Sequence, residues 1–299
     1  MNKTNKKKGK HMKEKIAAMT AVAGFVLGLA VLSSPAANTP VKISPAQPPG
    51  HAGRLGKIEP AQKLIGREVH TLQNEKFGKL DDLVVDLESG RILYGVVSMQ
   101  NGKVGVPPQI FSQMAENQPL MVHADKQKLT SAPRFTTDLE NNLAAVNFAT
   151  EVYHHFGQAS WWEGAAQPTG RTTFGNVHKA KTLTGVTVKD SANQTLGNVN
   201  NIIVDLPDGR LSYVLLSLSG VPEAAQFLYP LPPNALTAGS DAKTLVTGLD
   251  RQKLQSGPKV PKNNLQQLSD LTFAASVYDH YGKQPYWNSG AGSPTGRTP

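Results

Sequence analysis

The chain has 299 residues, no cysteine and a formal net charge of +9. That length allows two ordinary domains, and the lack of cysteine excludes disulfides, thiolate catalysis, cysteine-bound metals and a lipidated N-terminal cysteine. Seven lysines against a single acid, Glu14, fall within residues 1–37, so the rest of the chain carries only +3; it lacks the basic stripe with which duplex binders displace counterions, and no nucleic-acid partner is expected.

In chain order, a lysine-rich stretch ends at Lys15, an uncharged apolar run extends from Ile16 to Leu32, and small residues follow at Ser33, Ser34, Ala36 and Ala37. This is the three-part pattern of an export signal. Residues 1–36 are therefore expected to be a signal peptide cleaved after Ala36, giving a periplasmic or secreted protein. The apolar run is at the short limit for spanning a bilayer, so an uncleaved anchor is the alternative, and membrane contact is expected only through that segment. Residues 37–60 are rich in proline and glycine and are expected to form a disordered linker.

Residues 61–172 form the first of two units. Gly66 and Gly78 bracket a short strand carrying Val69, and two apolar runs, Leu80–Leu87 and Ile92–Met99, flank Glu88-Ser89-Gly90-Arg91. Glycine at the turn between β-branched runs predicts a hairpin. Gly102 punctuates the next hairpin, and Val104–Val106 is a further strand stopped by Pro107. Short strands closed by glycine turns suggest a small barrel or curled sheet over about 62–124. The period then changes: Leu139, Leu143, Val146, Ala149, Val152, Tyr153 and Phe156 lie at helical spacing. Thr137 and Glu140 have capping-box spacing, and Gly157 stands where a C-terminal cap belongs, so a helix is expected over about 138–157.

Residues 173–299 repeat this plan. A shift of 119 residues places twelve residues between Leu64 and Ser98 on identical ones, among them Asp86, Gly90, Arg91 and Tyr94 on Asp205, Gly209, Arg210 and Tyr213. Further on the shift is 125, and it places Phe148, Tyr153, His155, Gly157 and Trp162 on Phe273, Tyr278, His280, Gly282 and Trp287. The six extra residues of the second copy fall around Gly220–Gln226. The second barrel is expected over about 180–249 and its helix over about 263–282. Two tandem copies of one strand-then-helix module follow.

The order Gly66, Val69, Gly78-Lys79, Asp81, Val85-Asp86-Leu87, Gly90-Arg91, Tyr94, followed by Val106-Pro107-Pro108 and, in the second copy, by Leu231-Pro232-Pro233, resembles the PRC-barrel family. That family is named for the cytoplasmic part of the photosynthetic reaction centre H subunit and includes the C-terminal half of a ribosome maturation factor. The tails Val152–Gly157 and Val277–Gly282 resemble an extension of exported bacterial members. The resemblance implies a mainly β fold of two small six-stranded barrels, each followed by an amphipathic helix and an aromatic tail. It implies binding rather than catalysis and names no partner.

Candidate chemistry is sparse. Asp86 with Arg91, and Asp205 with Arg210, read as turn and cross-hairpin partners before they read as a ligand pair. Asp81, Asp82 and Asp86 are too few for calcium, and the second copy has Asn200 and Asn201 in place of the first two. Among His123, His154, His155 and His280 only the last two correspond by the repeat, which does not make a zinc site. No metal, cofactor or catalytic residue is expected. The candidate binding residues are aromatic: Tyr153, Phe156, Trp161 and Trp162, recurring as Tyr278, Tyr281, Tyr286 and Trp287. They either plug the fold or form a platform. The expected function is protein-partner contact in the cell envelope; the alternatives are glycan or small-ligand binding through these tails, and an uncharacterised hydrolase.

Overall fold

The computed structural model describes residues 54–112, 115, 117–163, 172–241 and 243–287. The leader and most of the linker, residues 1–53, lie outside the described residues. Among the described residues no helix is long and apolar enough to cross a membrane.

The first copy runs β1 (Ile58–Pro60), a one-turn helix α1 (Ala61–Leu64), β2 (Glu68–His70), β3 (Lys76–Asp86), β4 (Arg91–Met99), β5 (Gly102–Val106), β6 (Phe111–Ser112) and β7 (Leu120–Val122). Helices α2 (Lys126–Thr130), α3 (Thr137–Glu140) and α4 (Val146–His155) follow. The second copy repeats the series as β8 (Val177–Lys179), α5 (Ala180–Leu183), β9 (Thr187–Lys189), β10 (Thr195–Asp205), β11 (Arg210–Leu218), β12 (Phe227–Leu231), β13 (Thr237–Ala238) and β14 (Thr244–Val246). It ends with α6 (Arg251–Gln255), a short β15 (Val260–Pro261) and α7 (Leu271–His280).

The two copies have one topology. The first sheet has the order β5-β4-β3-β2-β7-β6 and the second β12-β11-β10-β9-β14-β13, and in each the corresponding pair, β2 with β7 or β9 with β14, is parallel. Both long hairpins carry bulges at equivalent places. Asp81 and Asn200 are extra residues on β3 and β10, and Leu93 and Ser212 are extra residues on β4 and β11. Bulges bend a strand and re-aim a side chain, and the last pair matters below. Gly90 and Gly209 close the hairpins at φ +62°, a backbone conformation open to glycine at no steric cost. The six additional residues of the second copy are taken up in the β11–β12 connection, which includes a 3₁₀ turn at Pro222–Ala225.

The copies are not strung side by side. β1 pairs with β10 of the second copy, Ile58 opposite Asp205, and β8 pairs with β3 of the first, Val177 opposite Asp86. Each chain segment then returns home: Gly66 donates to Leu80 O at 2.7 Å and Gly185 to Val199 O at 2.8 Å. The crossing occurs at α1 and α5, where Gln62 donates to Thr184 Oγ1 at 3.0 Å and the Lys181 amide donates to Asp82 Oδ1 at 3.1 Å. The exchange extends upstream of the strands. Leu55 donates to Ser269 O at 2.8 Å beside α7, and Phe174 to Ala144 O at 2.8 Å beside α4. Between the hairpins, Arg91 lies opposite Arg210, with Ile92 donating to Gly209 O at 2.9 Å and Leu211 to Gly90 O at 3.0 Å. Residue i meets j as j meets i, so the copies are related as in an isologous dimer within one chain.

This corrects two expectations. The linker does not extend to 60, because Arg54–Pro60 is ordered: Leu55 is buried in the core and β10 offers an edge to β1. Neither helix is continuous over its expected span. In the first copy α3 and α4 are separated at residues 141–145, where the backbone around Ala145 instead pairs with Thr173. In the second, a 3₁₀ turn at Gln266–Ser269 precedes α7. Thr137 and Glu140 do not form a capping box: the N-cap is Thr136, without a side-chain bond, and Glu140 faces Lys179 at 3.3 Å and Lys103 at 3.7 Å. The helix ends are as expected. Gln158 donates to Tyr153 O and Lys283 to Tyr278 O, each at 2.9 Å, the six-to-one bond of a Schellman cap.

One apolar core runs through both sheets and takes in the inner face of α7. A second, separate core lies between the outer face of β3–β4 and α4, built from Tyr94, Phe135, Phe148, Tyr153, Trp162 and Phe174. Phe174 belongs to the crossing segment, so the second copy helps close the first copy's core.

Candidate functional site

The carboxylates that suggested chemistry are structural. Asp86 accepts from the amides of Glu88 at 3.2 Å, Ser89 at 3.3 Å and Asn176 at 3.0 Å, so it fixes both its own turn and the crossing segment. Asp205 accepts from the Asp208 amide at 3.4 Å. Asp82 accepts from the Leu83 amide at 2.9 Å as well as from Lys181. Burial raises its pKa against those bonds. Asp81 lies 2.9 Å from Lys103 and 3.1 Å from Lys181. Those two cations hold its pKa below the usual carboxylate value although partial burial pushes the other way. His155 and His280 bond the carbonyls of Lys128 at 2.8 Å and Lys253 at 2.9 Å, tying α4 to α2 and α7 to α6. These partners account for the recurrence of the two histidines.

The aromatic tails fold inward. Tyr153 and Trp162 are buried with ring centroids 4.7 Å apart, and Trp162 Nε1 donates to Thr150 Oγ1 at 3.0 Å. Tyr278 and Trp287 meet at 5.0 Å, as do Tyr286 and Trp287. Phe156 and Tyr281 stand edge-on to His155 and His280, each at 4.8 Å. Among the described residues Leu72, at 54% exposure, is the large hydrophobic that stands out to solvent. The eight rings thus do not share an open face. The structure brings Trp161, Tyr278 and Tyr286 to one place and leaves the others in the packing.

That place is the junction. A cavity of about 270 Å³ lies between the hairpin ends, lined by Arg91 and Arg210, Trp161 and Tyr286, and Ser89 and Asn234 among others. The Arg91 guanidinium lies 5.0 Å from the Trp161 ring centre and Arg210 lies 5.1 Å from that of Tyr286, distances at which a ring face attracts a cation. Burial, aided by the neighbouring Arg210 charge, lowers the Arg91 pKa to about 10, and burial lowers that of Arg210. Both remain cations at neutral pH. Burial raises the Tyr286 pKa, so its hydroxyl stays protonated, and Tyr286 OH pairs with Ser212 Oγ at 3.1 Å. Chemically the cavity offers two cations, aromatic faces and neutral donors.

Sequence reasoning named Trp161 and Tyr286 and noticed both arginines, but it did not join them. The signal was available in the repeat: Arg91 and Arg210 recur with the rings that cover them. Ser89 was missed, because a serine in a hairpin turn carries no mark of its own.

A family model for the PRC-barrel domain matches residues 57–129 and again residues 175–246. No curated protein matches the chain. The matched stretches open on the crossing strands β1 and β8 and enclose the six-stranded sheets, each with the same strand order. The chain carries two PRC-barrel domains in tandem.

Proposed function

We propose that this is an exported, non-catalytic binding protein of the cell envelope, whose two barrels act as one body and engage a partner at the cleft between their hairpins. Export is supported by the lysine-rich, apolar and small-residue order of residues 1–36. The binding reading rests on one observation: the reciprocal placement of β1 and β8 holds Arg91 and Arg210 opposite each other, with the cleft between them. The cleft is thus a built part of the fold rather than a chance meeting of two domains. Its cations, rings and neutral donors are groups that hold a ligand. Glycan recognition by an open aromatic face gains no support from rings packed on their own helices.

The test is capture from envelope extract by the immobilised full chain and by the Arg91→Ala/Arg210→Ala double variant, with circular dichroism as a check of folding. A partner recovered by the first and lost by the folded second supports the reading. Equal recovery by both removes the cleft from it.

A further inference from the structure

We propose that the junction cavity binds a small oxyanion, a carboxylate or a phosphate, held on the first copy's side by Ser89, Trp161 and Arg91. The proposal rests on reading the cleft as a binding site and adds the chemical class of what enters it. The cavity, about 270 Å³, is near the small end of ligand pockets, which suits a compact acid. Two guanidiniums line it and, among the described residues, no carboxylate does; Asp208, whose charge reaches Arg210, lies outside the lining. The guanidiniums set the sign of the field, and their planar fork suits a carboxylate or phosphate.

Two further groups say where an acceptor is wanted. Ser89 Oγ and Trp161 Nε1 are buried and have no hydrogen-bond partner. Buried donors without acceptors are rare in folded proteins. Among the described residues three such side-chain atoms occur, and two of them belong to residues lining this one cavity.

The second copy closes the position equivalent to Trp161; its own unmet hydroxyl is that of Tyr281, outside the cavity lining. Trp161 corresponds to Tyr286, whose hydroxyl meets Ser212 on the β11 bulge. The first copy has Leu93 at the equivalent bulge of β4, which cannot accept. Ser89 corresponds to Asp208, so the first copy presents a neutral donor where the second has an anion. Both differences favour an anion on one side of a nearly symmetric junction.

The test follows the Trp161 N–H. The full chain labelled with ¹⁵N-tryptophan carries three indoles, Trp161, Trp162 and Trp287, and loss of one resonance in Trp161→Phe assigns the first. Succinate, acetate and inorganic phosphate are titrated separately, against chloride at matched ionic strength. A saturable shift of the Trp161 resonance with at least one oxyanion, and none with chloride, is expected. Ser89→Ala and Arg91→Gln should each weaken that binding by about tenfold or more, as for a hydrogen bond to a charged group. Saturation by phosphate alone or by carboxylates alone supports the proposal and names the oxyanion. No saturable shift with any of them overturns it, as does unchanged affinity in the folded Ser89→Ala protein. A null titration combined with partner loss in the double arginine variant sinks this proposal and leaves the binding reading standing. Anion binding with equal partner capture does the reverse.

Discussion

The two helix–tail corners began as copies and now differ in how they close. In the second corner three hydroxyls are bonded, Tyr213 donating to Leu268 O at 3.1 Å, Tyr278 to Ser212 O at 2.9 Å and Tyr286 meeting Ser212 Oγ, while that of Tyr281 is buried without a partner. In the first, Leu93 replaces Ser212, and the corner closes through rings: Tyr94 on Phe148 at 5.1 Å, and Trp162 on Phe174 at 5.2 Å. Both corners pack rings, but at the bulge itself a hydroxyl pair completes one and an apolar side chain the other. The cost falls on Trp161, whose ring is held while its N–H is unmet. A single bulge residue, polar in one copy and apolar in the other, separates a met tail donor, Tyr286, from an unmet one, Trp161.

Substitutions in the crossing segments should break this comparison most strongly. Phe174→Ala, which empties the space beside Trp161 and Trp162, should lower stability by about 4 kcal/mol, and the equivalent Leu55→Ala by about 3 kcal/mol, read from urea midpoints. Gly56→Ala and Gly175→Ala sharpen it. A Cβ on Gly56 would sit 1.9 Å from an oxygen of the buried Asp205, whereas one on Gly175 would meet the end of the exposed, flexible Glu88. The first should cost about 2 kcal/mol and the second much less; equal losses would show that Asp205 yields as easily as Glu88. Tyr286→Phe should then cost about 1 kcal/mol through the lost bond to Ser212, while Trp161→Phe, which removes an unmet donor, should leave stability unchanged or raised.

The smallest effect concerns pH. Asp81 and Asp82 of the first copy titrate where Asn200 and Asn201 of the second do not. Asp82, raised by burial, binds its proton more tightly folded than unfolded, so its contribution falls as pH rises through the ordinary aspartate value of 3.8 towards its folded pKa. Asp81, lowered by Lys103 and Lys181, contributes stability above 3.8 that is lost as pH falls towards its lower folded pKa. Carboxyl ¹³C titration should therefore show Asp82 with a midpoint above 3.8 and Asp81 below it. Midpoints in the opposite order would mean that the pairing of Lys181 with the two aspartates is misassigned.

Much of this architecture was legible in the sequence. The repeat, the hairpins closed by Gly90 and Gly209, and the helix ends at Gly157 and Gly282 all leave local marks. The crossing did not. β1 and β8 have three residues each, too short for a pattern, and the two long hairpins present nearly identical edges, so nothing local tells Ile58 which edge to join. The break before α4 was hidden for a related reason: helical spacing runs on through Leu139 and Leu143, while the pairing of Ala145 with Thr173 is made at long range. Of the site, the rings and arginines were visible singly. Their meeting depends on the junction, and the unmet donors of Ser89 and Trp161 depend on Leu93 standing where its counterpart is Ser212.

The crossing segments also settle what a cut between the copies would do. Each half keeps a strip of the other as part of its own wall, so cleaving the peptide between the copies would not free two barrels but leave a two-chain clasp. Produced as separate polypeptides, the halves should seek each other out and reassemble. Either half alone, with its strip unplaced and its edge bare, should pair with a second molecule of itself.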